Sequence, residues 1–220
     1  MKSQITIKQI QELLIKGVHT IHVDDDTSRR MWWASLEVIQ REFLPQNCQH
    51  GGIWIASPLP ALNEKKFFNQ LQGWLWSPEG FPYFQKDHAG FLPANDSAKI
   101  KKDFDFISNY KVLNLSQKDG YEPFLMIITQ NFQCILSITG EKNKKILLMK
   151  CDENSLKISI ELIHAKLNQE NNKEGVKFRN AINNLGNLNV NNQFEKTFWP
   201  ILSAKLAKMG PNHNIQNSSK

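Results

Sequence analysis

The sequence predicts an α+β domain in which an antiparallel β-meander is covered by helices. Two observations carry this. Four β-rich runs, at 111–116, 123–129, 133–139 and 145–151, follow one another with only short turn segments between them, and connections that short favour antiparallel neighbours. Directly afterwards, residues 152–169 place Leu156, Ile160, Ile163 and Leu167 at helical spacing behind an Asp152 cap. Such a helix has one apolar stripe, and a sheet with one apolar face needs a covering layer.

The remaining elements follow in order. Thr6 and Gln9 stand as a capping box for a helix over 6–17, with Ile7, Ile10, Leu13 and Leu14 on one face and Gly17 at its stop. Asp24-Asp25-Asp26-Thr27-Ser28 opens a second helix over 28–44, before Pro45, with Trp32, Leu36, Ile39 and Phe43 on one side. The two predict a helical hairpin. Ile53-Trp54-Ile55 is a short strand closed by Pro58 and Pro60. Phe67, Phe68 and Leu71 mark a short helix ended by Gly73, and Trp74-Leu75-Trp76 alternates as a half-buried strand does. Residues 77–98, with Pro78, Gly80, Pro82, Gly90 and Pro93, read as a long loop of the functional or mobile kind.

Beyond the covering helix, the polar stretch 170–175 predicts a hinge between an α+β domain over 1–169 and a helical segment over 176–209. Phe194, Phe198, Leu202 and Leu206 recur every four residues, and Pro200 among them predicts a kink or two abutting helices, since an interior proline costs a helix ~3 kcal/mol. Residues 210–220 read as a disordered tail.

The formal charge of +6 arises from 27 basic and 21 acidic residues, and the lysines are dispersed in pairs such as Lys65-Lys66, Lys101-Lys102 and Lys144-Lys145. Dispersed lysine solvates a surface; with no helix-turn-helix, zinc-finger or RNA-binding strand signature, no nucleic-acid partner is expected. No apolar run approaches the ~20 residues that cross a bilayer, so no membrane partner is expected either. Cys48, Cys134 and Cys151 are odd in number and far apart, the pattern of reduced thiols in a cytoplasmic protein.

No stretch assembles a complete active site. His19, His22 and Asp24-Asp25-Asp26 are metal-ligand types, but aspartates ahead of a helix are also what its N-terminus requires, so no metal is assigned. Cys48-Gln49-His50 joins a thiol to an imidazole without a second cysteine or an acidic orienter, and it reads as a polar turn. His164 stands alone on its helix as a boundary residue. Phosphate-binding, dinucleotide-binding and nucleophile-elbow motifs are absent, and no catalytic residue or cofactor is assigned. The candidate ligand or partner surface is the aromatic crowd Trp74, Trp76, Phe81, Tyr83 and Phe84 around a Pro/Gly turn; the competing reading makes these rings core. A rival enzyme reading uses Asp87, His88 and Asp96 of the same loop as acid–base groups.

Taken in order, Leu59-Pro60-Ala61-Leu62, Gln70-Leu71-Gln72-Gly73-Trp74-Leu75-Trp76-Ser77-Pro78, and the segments 124–140 and 147–167 resemble the amino-terminal input region of cyanobacterial-type two-component sensor histidine kinases, over roughly residues 30 to 209. The sensory parts of that family are GAF- or DICT-like α+β modules. The resemblance implies a non-catalytic sensory or protein-interaction module, with a kinase or response-regulator component as partner, room for a small-molecule ligand, and a homodimer as one assembly. His164-Ala165-Lys166 does not supply the family's phosphoacceptor box, and its ATP-binding boxes are missing, so the expected module lacks the kinase core. Bilin-binding relatives place cysteine next to histidine; Cys48 and His50 are separated by Gln49, and no chromophore is assigned. A structural subunit of a photosynthetic or metabolic complex is the alternative from another class.

Overall fold

Side-chain caps set where the helices begin. In the computed structural model, which describes residues 4–18, 21–62, 64–78 and 109–209, the Thr6 hydroxyl accepts from the Gln9 N–H and the Gln9 carboxamide accepts from the Thr6 N–H, opening α1 (Ile7–Ile15). Asp24 accepts from the Thr27 N–H to open α2 (Asp25–Val38). The helical path then continues through a π-helical turn (Ile39–Phe43), closed by the Leu44 N–H donating to the Ile39 carbonyl, into α3 (Leu44–Asn47), where Pro45 has no N–H to continue the ladder. The short α4 spans Lys65–Gln70. Asp152 accepts from the Ser155 N–H to start α5 (Glu153–Glu170).

Six strands, β1 (Gly52–Ser57), β2 (Leu71–Ser77), β3 (Tyr110–Asn114), β4 (Phe124–Ile128), β5 (Gln133–Glu141) and β6 (Lys144–Lys150), form one mixed sheet in the order β3-β2-β1-β4-β5-β6. The fold is α+β. The meander comprises β4, β5 and β6, paired antiparallel. The first of the four ribbons expected there lies instead at the opposite edge, parallel to β2, with Leu113 opposite Trp76. Its connection to β4 is not a hairpin: it passes through a 3-10 turn (Gln117–Asp119) and bypasses two strands.

Both faces of the sheet are covered. Trp54, Ala56, Leu75, Leu125, Ile127 and Leu136 face α2, the π turn, α3, α4 and a long carboxy-terminal helix. Ile53, Ile55, Trp74, Met126, Ile128 and Ile135 face α1 and the helices that follow the meander, so α1 and α2 lie on opposite faces and do not form the expected helical hairpin, each apolar stripe being buried by the sheet instead of by the other helix. A strand buried on both sides needs no polar alternation, as in Phe124-Leu125-Met126-Ile127-Ile128, which is wholly buried.

The expected hinge at 170–175 is a helix corner. Only Asn171 separates α5 from α6 (Asn172–Asn184), and its side chain accepts from the Lys173 N–H. Gly175 lies within α6 against Asn168, where a Cβ would come within 1.9 Å of Oδ1. Phe178 of α6 is fully buried in one core, and Phe198 of α7 (Gln193–Met209) is fully buried in the other. The segment 176–209 thus packs on both faces of the sheet. Between the two helices, Asn189 donates from its backbone to the Gln130 carbonyl at 2.9 Å and from its side chain to Asn131 at 2.8 Å, tying the strap to the β4–β5 turn. Pro200 is accommodated inside α7, which runs as one helix rather than two. Among the described residues no helix is long and apolar enough to cross a membrane. The tail expected at 210–220 lies outside the described residues.

Candidate functional site

The chain concentrates buried charge where β2 ends against α1, the 3-10 turn and the α5–α6 corner. Trp74 and Trp76, two residues apart on β2, point to the same face. A buried indole N–H needs an acceptor. The Trp76 N–H donates to Glu170 at 2.7 Å, and the Trp74 N–H donates to Glu174 at 3.0 Å. The two glutamates are one helical turn apart in number, but the corner at Asn171 lies between them, so α5 supplies one and α6 the other.

Lys166, one turn before Glu170, is 1 % exposed. Its ammonium lies 2.8 Å from Asp119 and 2.7 Å from Glu170, and 5.3 Å from the centre of a Trp76 ring. Asp119 in turn accepts from the Ile7 N–H at 2.9 Å, from the Ser116 N–H at 3.0 Å and from the Ser116 hydroxyl at 2.6 Å. Burial pushes the Asp119 carboxyl up, but Lys166, Ser116 and Ile7 together outweigh it and hold it below its ordinary value. Glu174 follows the same rule: burial opposes ionisation, while Lys177 at 2.9 Å and the Trp74 indole leave the carboxyl lowered.

Chemically, this is a clamp. Asp119 caps the first turn of α1, a negative charge at a positive helix end, and Lys166 joins that cap to Glu170 and Trp76. Lys166 faces two carboxylates, and the Ile7, Ser116 and Trp76 donors satisfy the rest, so the cluster ties α1, β2 and α5 together, with α6 joined through Glu174 and Trp74.

Trp74 and Trp76, expected as recognition rings, are instead fully buried core residues with their polar edges engaged. Alternation in Trp74-Leu75-Trp76 suggested one solvent-facing side, but helices cover both sides. Phe81, Tyr83 and Phe84 of the same candidate surface, and Asp87, His88 and Asp96 of the enzyme reading, lie outside the described residues. The clamp partners Asp119, Lys166, Glu170 and Glu174 were not singled out by sequence; two tryptophans at strand spacing, whose N–H groups require acceptors, were the available signal.

The other sequence candidates are kept apart. Cys48 is buried and donates to Gln70 at 3.1 Å, with burial pushing its thiol up, while His50 is exposed. Asp24 is held by Thr27, Asp25 accepts from the Asn143 N–H at 3.1 Å, and His19 lies outside the described residues. Among the described residues no three His, Cys, Asp or Glu side chains are grouped to hold a metal ion. A shallow groove of about 220 Å³ runs between α2 with its π turn and α7; Val38, Ile201 and Ala204 line it together with charged residues, among which Glu37 bridges Arg41 at 2.9 Å and Lys205 at 2.6 Å.

Comparison with curated proteins and with solved structures finds no match. A family model does match, over residues 8–211, and the chain belongs to the family it describes, Domain of unknown function (DUF8628).

Proposed function

We propose that this chain is a non-catalytic regulatory input or docking module of a signalling assembly, with a kinase or response-regulator component as its partner. One observation carries the reading. The last two helices lie on opposite faces of the sheet, α6 through Phe178 and α7 through Phe198, and the strap between them is tied to the β4–β5 turn by Asn189. A displacement imposed on one face therefore has a covalent and hydrogen-bonded route to the other. The ionic clamp supports the same reading, because it makes α1, β2, α5 and α6 move together.

The groove between α2 and α7 is the docking surface in this reading, and Arg41 and Lys208 line it. The test uses the full chain as bait against the signalling proteins of its source. A stoichiometric kinase or regulator complex that is lost in an R41E/K208E variant, with slowed amide exchange in α7 on binding, supports the proposal. Turnover of a small molecule by the purified chain, abolished by a D87A/H88A variant, overturns it in favour of an enzyme.

A further inference from the structure

The corner between α5 and α6 holds an imidazole whose two nitrogens face partners of unequal freedom. His164 Nδ1 lies 2.9 Å from Nη2 of Arg179, and Nε2 lies 3.0 Å from the side-chain amide of Asn168. A guanidinium has donors only. Nδ1 must therefore accept, and the neutral ring carries its proton on Nε2. An amide nitrogen facing Nε2–H would set donor against donor, while the Asn168 oxygen, turned toward Gly175, is buried without a partner among the described residues. Turning the amide over, which its two ends of the same shape allow, sets its oxygen to accept from Nε2–H and leaves the amide nitrogen facing Gly175.

Arg179 is itself gripped by Glu161 of α5, with two nitrogens each 3.0 Å from a carboxylate oxygen. The imidazole stacks on Phe178 with ring centres 6.4 Å apart, and Phe178 meets Trp74 edge-on at 5.4 Å. We infer that His164 is a pH-responsive latch between α5 and α6: neutral, it accepts from Arg179 and closes the corner; protonated, it turns an N–H toward the guanidinium and lets α6 loosen.

Arg179 from α6 and Glu161 from α5 are the charges acting on the ring; burial and Arg179 lower its pKa from the ordinary 6.5, and Glu161 opposes them. A lowered native value means the latch contributes its full stability above 6.5 and loses it as pH falls through the native value. The inference does not depend on the regulatory reading.

Imidazole and indole NMR of the full chain, followed from about pH 8 to about pH 5 across the range where histidine titrates, tests it. The expected result is an Nε2–H tautomer, a His164 midpoint below 6.5, and a Trp74 indole signal that shifts with that midpoint. Glu174, which takes the Trp74 N–H, has a pKa lowered from 4.5 and titrates outside this window. Arg179→Gln should move the midpoint up, and His164→Asn should abolish the coupled Trp74 shift. An Nδ1–H tautomer, a midpoint at or above 6.5, or a Trp74 signal indifferent to pH in the unaltered protein overturns the latch.

Discussion

The indole of Trp54 fills the space over Gly73 on the neighbouring parallel strand, so that a Cβ at position 73 would lie 2.3 Å from its Cε2. Trp54 is fully buried and packs edge-on to Phe68 with ring centres 5.7 Å apart, and against Tyr110 at 5.4 Å. The ring has no room to retreat. Gly73 is thus required by the ring across from it rather than by its own backbone. Gly73→Ala should destabilise by about 3 kcal/mol, at the upper end of what overpacking a tight core costs. Denaturant midpoints of the two proteins measure it, and an unchanged midpoint would show that Trp54 repacks freely.

Lys166 sits between Asp119 and Glu170 with almost no exposure. Removing one partner of a buried ionic group strands the other, which costs about 3–5 kcal/mol. Lys166→Met should lose that much at neutral pH. The acid limb gives an independent check on Asp119. Its native pKa lies below 3.8, so its contribution is complete above 3.8 and vanishes as pH falls from there through the lowered native value. Acid should therefore destabilise the unaltered chain more steeply than Asp119→Asn in denaturant titrations across that range.

Local chemistry was legible in the sequence, and long-range pairing was not. The Thr6–Gln9 box and the Asp152 cap stand where the residue types put them, because a cap involves only neighbours three residues apart. The place of β3 beside β2 depends on a register set between Trp76 and Leu113, far apart in the chain, and no local pattern encodes it. Polarity at 170–175 predicts a hinge, but the residues there serve caps and close approach, as Asn171 and Gly175 show. In the sequence, Asp119, Lys166 and Glu174 look like ordinary surface charge; only the fold brings them under Trp74 and Trp76.

Burial of Trp76 reverses what its substitution should do. A recognition ring at a loop mouth would be lost with little harm to folding, whereas a fully buried indole bonded to Glu170 belongs to the core. Trp76→Ala should cost about 3–5 kcal/mol, as emptying a large core site does. Trp76→Phe should cost less, since Glu170 keeps Lys166 when the indole N–H is gone. Equal midpoints for Trp76→Ala and the unaltered protein would return the residue to the surface.

The three cysteines supply a final prediction, because each is buried and each thiol is pushed up by burial. Cys151 is raised from 9.0 to about 12, with Glu195 and Asp152 adding to the effect. The thiolate is the reacting species, so near neutral pH its share at Cys151 should be on the order of a thousandfold below that of an unperturbed thiol. Native protein should therefore react with a disulfide reagent at a rate set by unfolding, with Cys48, Cys134 and Cys151 all labelled promptly once denaturant is added. Fast labelling of any one of them in the folded state would mean that its side of the core opens to solvent without global unfolding.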